Sequence, residues 1–219
     1  MIRIIIYLGP SLPLEEAKYI LSSNNKREVV YAPPIKRGDI PKALSDGFNI
    51  IAIVDGVFFR ESAVSPRELM DVLKTGVKIY GASSMGALRA SELDRYGMIG
   101  IGNIYQWYRD GTLNSDDEVA LSFDSEEFIP ISEPLVNIRE TIKKATDENI
   151  ISQEESEIIF KSAKSLYFPE RRWGKIIENS EKTIAKSLSN FSIFVKNNRV
   201  DIKKEDAILL LKRIDEDSK

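Results

Sequence analysis

The stretch Val77-Lys78-Ile79-Tyr80-Gly81-Ala82-Ser83-Ser84-Met85-Gly86 decides the fold. A short apolar run, Val77 to Tyr80, breaks into a turn of small residues, and a helical pattern follows from about Ala87 to Arg95. Three earlier segments repeat that strand-then-helix order. Ile2 to Leu8 is β-branched and nearly continuous, the pattern of a strand buried on both faces. Ser11 is positioned to cap a helix with Leu14, Ala17, Ile20 and Leu21 on one face. Glu28 to Ala32 reads as a second strand, and Asp39 as the cap of a helix carrying Ile40, Ala43 and Leu44. Asn49 to Val54 is a third buried strand, stopped by Asp55-Gly56. Ser65-Pro66 then opens a helix with Leu69, Met70 and Leu73 inward.

Four such units imply right-handed crossovers and a largely parallel sheet flanked by helices, an α/β fold. Ligands of open parallel sheets bind beyond the carboxyl ends of the strands. Here that rim is Gly9-Pro10-Ser11, Pro33 to Asp39, Asp55 to Ser65 and Gly81 to Gly86. From about residue 123 the pattern turns helical, which divides the chain into a core over 1–122 and a helical C-terminal part over 123–219. Ser132, Ser152 (with Glu155 as a capping box) and Asp201 each open a helical pattern. Ile177, Ile184, Leu188, Phe191 and Val195 form one apolar stripe, predicting a single long helix. Ala207, Leu210, Leu211 and Ile214 mark a last short one.

Composition removes whole classes of chemistry. The 219 residues contain no His and no Cys, with 31 Lys plus Arg against 34 Asp plus Glu. No imidazole relay, thiol nucleophile or zinc ligand set can be built from what remains. Ser, Thr, Tyr, Lys and carboxylates are left, with Mg²⁺ as the one easily held metal. The near-neutral balance predicts no nucleic-acid surface. No apolar run approaches the roughly 20 residues that span a bilayer, and the first residues form a strand rather than a cleavable signal. A cytoplasmic protein without a membrane segment is expected.

Within the rim, Ala82-Ser83-Ser84-Met85-Gly86 is a small-x-Ser-x-small turn between strand and helix, the setting of a nucleophile elbow. The amides of Met85 and Gly86, at the helix N-terminus, would hold an oxyanion or an anionic ligand. A glycine-rich turn that binds nothing carries the same residues. With no His, a serine nucleophile needs a lysine as its base. Lys36 lies on this rim, while Lys74 and Lys78 lie nearer the opposite edge. Arg67 is well placed to clamp an oxyanion but cannot act as a base. Asp55 reads as a turn residue that could also orient a lysine. Asp116-Asp117-Glu118 reads as a solvated helix start, and Trp173 as either a partner anchor or a helix-docking residue. A nucleotide site is disfavoured, because neither a GxxxxGK[ST] loop nor a G-x-G-x-x-G after the first strand is present.

These residues carry a resemblance. Gly9-Pro10-Ser11-Leu12, Gly38-Asp39, Val54-Asp55-Gly56, Gly81 through Ala90, Tyr96 through Gly102 and Asp116 through Ala120 together resemble the TfuA core, over about residues 1–125. Asp201 to Leu211 also resembles the helical end of longer members. The resemblance implies a partner of YcaO enzymes, which activate a peptide amide with ATP so that sulfide replaces its oxygen. It implies hydrolysis of the C-terminal thiocarboxylate of a small ubiquitin-like sulfur carrier, with no cofactor and no metal of its own. A Ser-Lys hydrolase-like site is implied, with Ser84 as nucleophile; Lys36, on the same rim, is expected to stand in as its base, with Arg67 holding the carboxyl oxygen. Gly9, Pro10, Asp55, Gly81, Ser83, Met85, Gly86 and Arg89 would form the binding walls. One departure stands out. Where the family pattern opens the helix with Lys-Glu, this chain has Arg67-Glu68. A non-catalytic adaptor that docks YcaO and the carrier is therefore the alternative expectation.

Overall fold

Strand-forming residues run almost without interruption through Ile2–Tyr7 (β1), Arg27–Ala32 (β2), Ile50–Ile53 (β3) and Lys78–Gly81 (β4), and they pair in parallel with a short fifth strand, Ile99–Gly100 (β5). The computed structural model describes residues 1–58 and 62–219. The strand order β2-β1-β3-β4-β5 reverses direction between β1 and β3, which makes their carboxyl ends the switch point of the sheet. The part of the rim numbered 59–61 lies outside the described residues.

Both faces of the sheet are covered, which is why the strands lack alternation. One face carries Ile4, Ile6, Leu8, Ile50, Ala52, Val54, Tyr80 and Ala82, joined to Ala17 and Leu21 of Leu14–Ile20 (α1). The same cluster takes in Ala207, Leu210, Leu211 and Ile214 of the last helix, Ile202–Asp217 (α10). The other parity, Ile5, Tyr7, Ile51, Ile53 and Ile79, is buried too. Asp39–Ser45 (α2), Pro66–Leu73 (α3) and Met85–Leu93 (α4) follow β2, β3 and β4 in turn. Asn103–Arg109 (α5) comes after β5.

Two compact units result: Met1–Asn114 with Lys203–Lys219, and Ser115–Ile202. The second unit holds Leu135–Asp147 (α6), Gln153–Ser165 (α7), Trp173–Ile184 (α8) and Ser189–Asn198 (α9) around a core of Leu135, Ile138, Ile142, Ile159, Ile176, Phe191 and Phe194.

Several local readings hold. Ser65 and Ser152 each form a complete capping box, with Glu68 and Glu155. Trp173 docks a helix, its ring edge-on to Phe191 at 5.9 Å. Others are corrected. Ser11 caps nothing, because its amide and hydroxyl both go to Asp55, and α1 starts behind Pro13 instead. Asp39 is the first residue of α2, and its carboxylate accepts from the Lys36 N–H. Ser132 is buried and accepts from the Ser122 N–H, so α6 begins only after Pro134. The long apolar stripe is two helices, because Ala185 takes a left-handed conformation (φ 55°) that closes α8. The Glu181 carboxylate then accepts from the Leu188 N–H across the break. The acidic triplet is not solvated as a whole: Asp117 pairs with Arg171, which is 1% exposed, and Glu118 pairs with Arg139. A guanidinium buried that deeply needs an anion beside it.

Two outcomes are expected. Replacing Ala185 with Gly removes a left-handed Cβ and should stabilise the protein by roughly 1 kcal/mol, read as a higher melting temperature. The second concerns Asp206 of α10, which accepts from the Asn103 and Ile104 amides at the start of α5. Burial, only partly offset by those two donors and reinforced by Glu205, pushes its carboxyl up to about 6. The native state therefore holds the proton more tightly than the unfolded chain between about pH 4 and 6, and this group's contribution to stability falls as pH rises through that window. Asp206→Asn keeps an acceptor but cannot titrate. Its stability relative to wild type should rise by on the order of 2 kcal/mol from pH 4 to 7, measured by urea unfolding at both ends. A pH-independent difference would contradict this account.

Candidate functional site

At the switch point the loop after β1 and the residue after β3 are bound together. The Asp55 carboxylate, 2% exposed, accepts from the Gly9 amide at 3.0 Å, the Ser11 amide at 3.0 Å and the Ser11 hydroxyl at 2.6 Å. Three donors on one ionised carboxylate offset the cost of removing it from water. Gly9 has to be glycine here, since a Cβ would lie 2.5 Å from Pro34 Cγ. The loop after β2 joins the same cluster through a parallel bridge between Ile35 and Gly56.

The next strand end supplies Ser84. Its amide donates to the carbonyls of Ala82 (2.8 Å) and Val54 (3.3 Å), and the Gly86 amide also donates to Val54 at 3.3 Å. Helix α4 is thereby seated on the end of β3. Seating it that close requires glycine at two places: a Cβ on Gly86 would be 1.8 Å from the Ile53 carbonyl oxygen, and one on Gly81 would be 2.2 Å from the Gly86 oxygen. The tight turn forces Ser83 to a φ of 66°, fully buried, with a hydroxyl that has no partner among the described residues. Ser84 stands at the N-cap of α4, 2% exposed, and its side chain does not cap the helix. Its hydroxyl is not consumed by local structure. Of the two amides expected to hold an oxyanion, that of Gly86 is already turned to Val54. The Met85 amide, one residue into the helix, has no acceptor within the helix.

The structure thus brings Gly9, Asp55, Gly81, Ser83, Ser84, Met85 and Gly86 to one end of the sheet. Pro10 lies in the same Asp55-bound loop. Arg89 is engaged elsewhere: its Nε donates to the Val64 carbonyl at 2.9 Å and its Nη1 pairs with Glu92. Arg67 is exposed at the start of α3. Lys36 is exposed as well, and among the described residues its side chain makes no hydrogen bond or ion pair.

The residue that sequence reasoning missed is Lys203, in the first turn of α10. It is 2% exposed, and its Nζ lies 4.0 Å from Asp55 Oδ1. Two signals pointed to it. Extended back by one turn, the stripe Ala207, Leu210, Leu211, Ile214 reaches position 203. A lysine in a first helical turn also opposes the helix dipole, so it needs another reason to be there.

The close approach of α4 is itself testable. Alanine is the best helix former, so Gly86→Ala would stabilise an ordinary helix. Here the Cβ meets backbone, and we expect a loss of roughly 3 kcal/mol, seen as a melting temperature about 10 °C lower.

No curated protein matches the chain. A family model described as TfuA-like protein matches residues 55–172, a span that opens on Asp55 and includes the entire Ser84 turn, Asp117, Glu118 and Arg171. With more than half of its length matched, this chain belongs to the TfuA-like family.

Proposed function

We propose that this protein is an accessory hydrolase of YcaO-dependent peptide thioamidation. It releases sulfide from the C-terminal thiocarboxylate of a small ubiquitin-like sulfur carrier and assists YcaO in engaging its peptide. The observation that carries this reading is Ser84 at the N-terminus of α4, its side chain unspent on capping and its amide held by the carbonyl of Val54, the residue before Asp55. Ser84 attacks the thioacid carbon. The Met85 amide and the positive end of α4 meet the charge that develops on oxygen. Hydrosulfide is a far better leaving group than an amine, so a chain without histidine is adequate to the chemistry. At 2% exposure, Ser84 suits an extended chain end entering the rim better than a folded surface laid across it. Membership of the TfuA-like family supports the accessory role and a protein partner. No helix among the described residues is long and apolar enough to cross a membrane.

A second reading is favoured by one feature. Lys36 and Arg67 both stand in solvent, and a non-catalytic adaptor docking YcaO and the carrier needs no completed Ser84 site. Sulfide release from a thiocarboxylated carrier separates the two. Under the hydrolase reading Ser84→Ala lowers release by at least about 100-fold with an unchanged melting temperature. Unaltered YcaO stimulation by Ser84→Ala, with no release from wild type, would instead establish the adaptor.

A further inference from the structure

We propose that the groove along α6 and α7 is a docking site for an acidic, amphipathic helix of a partner protein. The groove lies wholly within Ser115–Ile202 and uses none of the residues around Ser84.

Helix α6 lines the groove from Arg139 to Asp147 and α7 from Gln153 to Phe160, each at the three- and four-residue spacing of one helix face. They enclose a cavity of about 310 Å³. A second hollow, of about 440 Å³, continues past Phe160 along α7 to Ser165. The two together run the whole 13 residues of α7, about 20 Å at the rise of a helix. That length seats three to four turns of a third helix. The floor offers packing rather than donors. Ile142 and Ser156 are buried, the Ser156 hydroxyl donates to the Gln153 carbonyl at 2.7 Å, and that of Thr146 donates to the Ile142 carbonyl at 3.0 Å. Phe160 is half-buried, and the Arg139 guanidinium lies 4.3 Å from its ring centroid. Arg139 also donates to the Glu118 carboxylate at 2.8 Å, so it is held in place while its side chain remains 34% exposed. A cation fixed before binding loses little freedom on meeting a ligand.

The charges around this floor identify the occupant. Lys143, Lys161 and Lys164 are exposed, and among the described residues none of them makes an ion pair. Opportunity is not lacking. Asp147 stands one turn from Lys143 and Glu157 one turn from Lys161, the spacing at which Lys182 of α8 does take Glu178, at 2.7 Å. Arg139 with Lys143, and Lys161 with Lys164, are like charges one turn apart, a small cost to each helix. The groove thus carries four cations against two carboxylates. Residues 115–202 as a whole run the other way, with 17 acidic residues against 12 basic. A nucleic acid or an anionic membrane would meet that excess of negative charge beyond the groove, whereas a short acidic helix meets only the groove's own cations. Laid along it, such a helix sets its apolar stripe on Ile142 and Phe160 and its carboxylates toward the lysines.

The test uses the full chain and a panel of fluorescein-labelled peptides of about 14 residues. Each carries Leu, Phe or Trp along one helical stripe, flanked by Glu, and binding is read by fluorescence anisotropy. At least one peptide should bind. Lys161→Glu combined with Lys164→Glu should weaken that binding at least about 10-fold while the melting temperature holds. Lys175→Glu combined with Lys182→Glu makes the same change of net charge on α8 and should shift affinity less than about 2-fold. Exchanging the peptide's Glu for Gln should weaken binding as the groove variant does. Failure of every peptide to bind would overturn the proposal, as would an equal loss in the α8 variant or undiminished binding of the Gln peptides. Self-association, or binding to phosphatidylserine vesicles, that the groove variant abolishes while no peptide binds would assign the surface to a second copy or a membrane, and overturn it too. None of these readouts depends on Ser84.

Discussion

A buried carboxylate with three donors organises the first unit. Asp55 sits where the strand order reverses, the place at which an open parallel sheet leaves a crevice between diverging loops. Such loops carry backbone amides that need partners, and most would find water. Here Gly9 and Ser11 find one side chain, 46 and 44 residues away in sequence. The bond network cuts both ways. Without Asp55 two amides and a hydroxyl would lose their acceptor in a nearly dry place. Without those donors Asp55 would be a buried carboxylate stripped of its hydrogen bonds. Neither half is stable alone, so the loop after β1 and the end of β3 behave as one piece.

Helix α4 is built on that piece, and strain accumulates where it starts. A left-handed Ser83 costs on the order of 1–3 kcal/mol, and its buried hydroxyl lacks a partner. The turn persists because the Val54 carbonyl binds both Ser84 and Gly86, and because Gly81 and Gly86 present hydrogen where any side chain would collide with backbone. What the strain achieves is placement. The helix N-terminus is pressed against the strand end, and the Ser84 hydroxyl, the proposed nucleophile, is left over from the local bonding. Relaxing Ser83 would let α4 lift away from β3 and dissolve that placement.

The sheet was legible because β-branched runs bounded by Gly and Pro are local signals, and the capping boxes at Ser65 and Ser152 are complete within four residues. The misreadings share a different cause. Ser11 has the chemistry of an N-cap, but a carboxylate distant in sequence competes for it and wins. Ala185 carries no mark of a helix stop, since the residue usually found in its conformation is glycine, and the apolar stripe runs through the break unaltered. The strand Ile99–Gly100 is two residues long and offers no pattern at all. Asp117 and Glu118 look like solvated charges until folding brings Arg171 and Arg139 to them. Sequence spacing reports local geometry, and it is silent wherever a polar group chooses between a near partner and a far one.

Lys203 lies between those cases. Its position on the stripe of Ala207, Leu210, Leu211 and Ile214 was readable, but a charged residue at an apolar position is usually taken as the stripe's end. Whether such a residue turns out to solvent depends on the freedom of the helix to rotate or fray. In α10 that freedom is small, because carboxylates at 206, 215 and 217 reach α5, Arg27 and Tyr80, anchors toward both ends of the sixteen residues. The apolar contacts between alone would permit some sliding; directional bonds do not. An inward lysine on a rigidly docked helix opposite a fixed carboxylate is expensive to fold and adds little to stability. Its charge is met at the end of β3, where Asp55 Oδ1 stands 4.0 Å from the Lys203 Nζ.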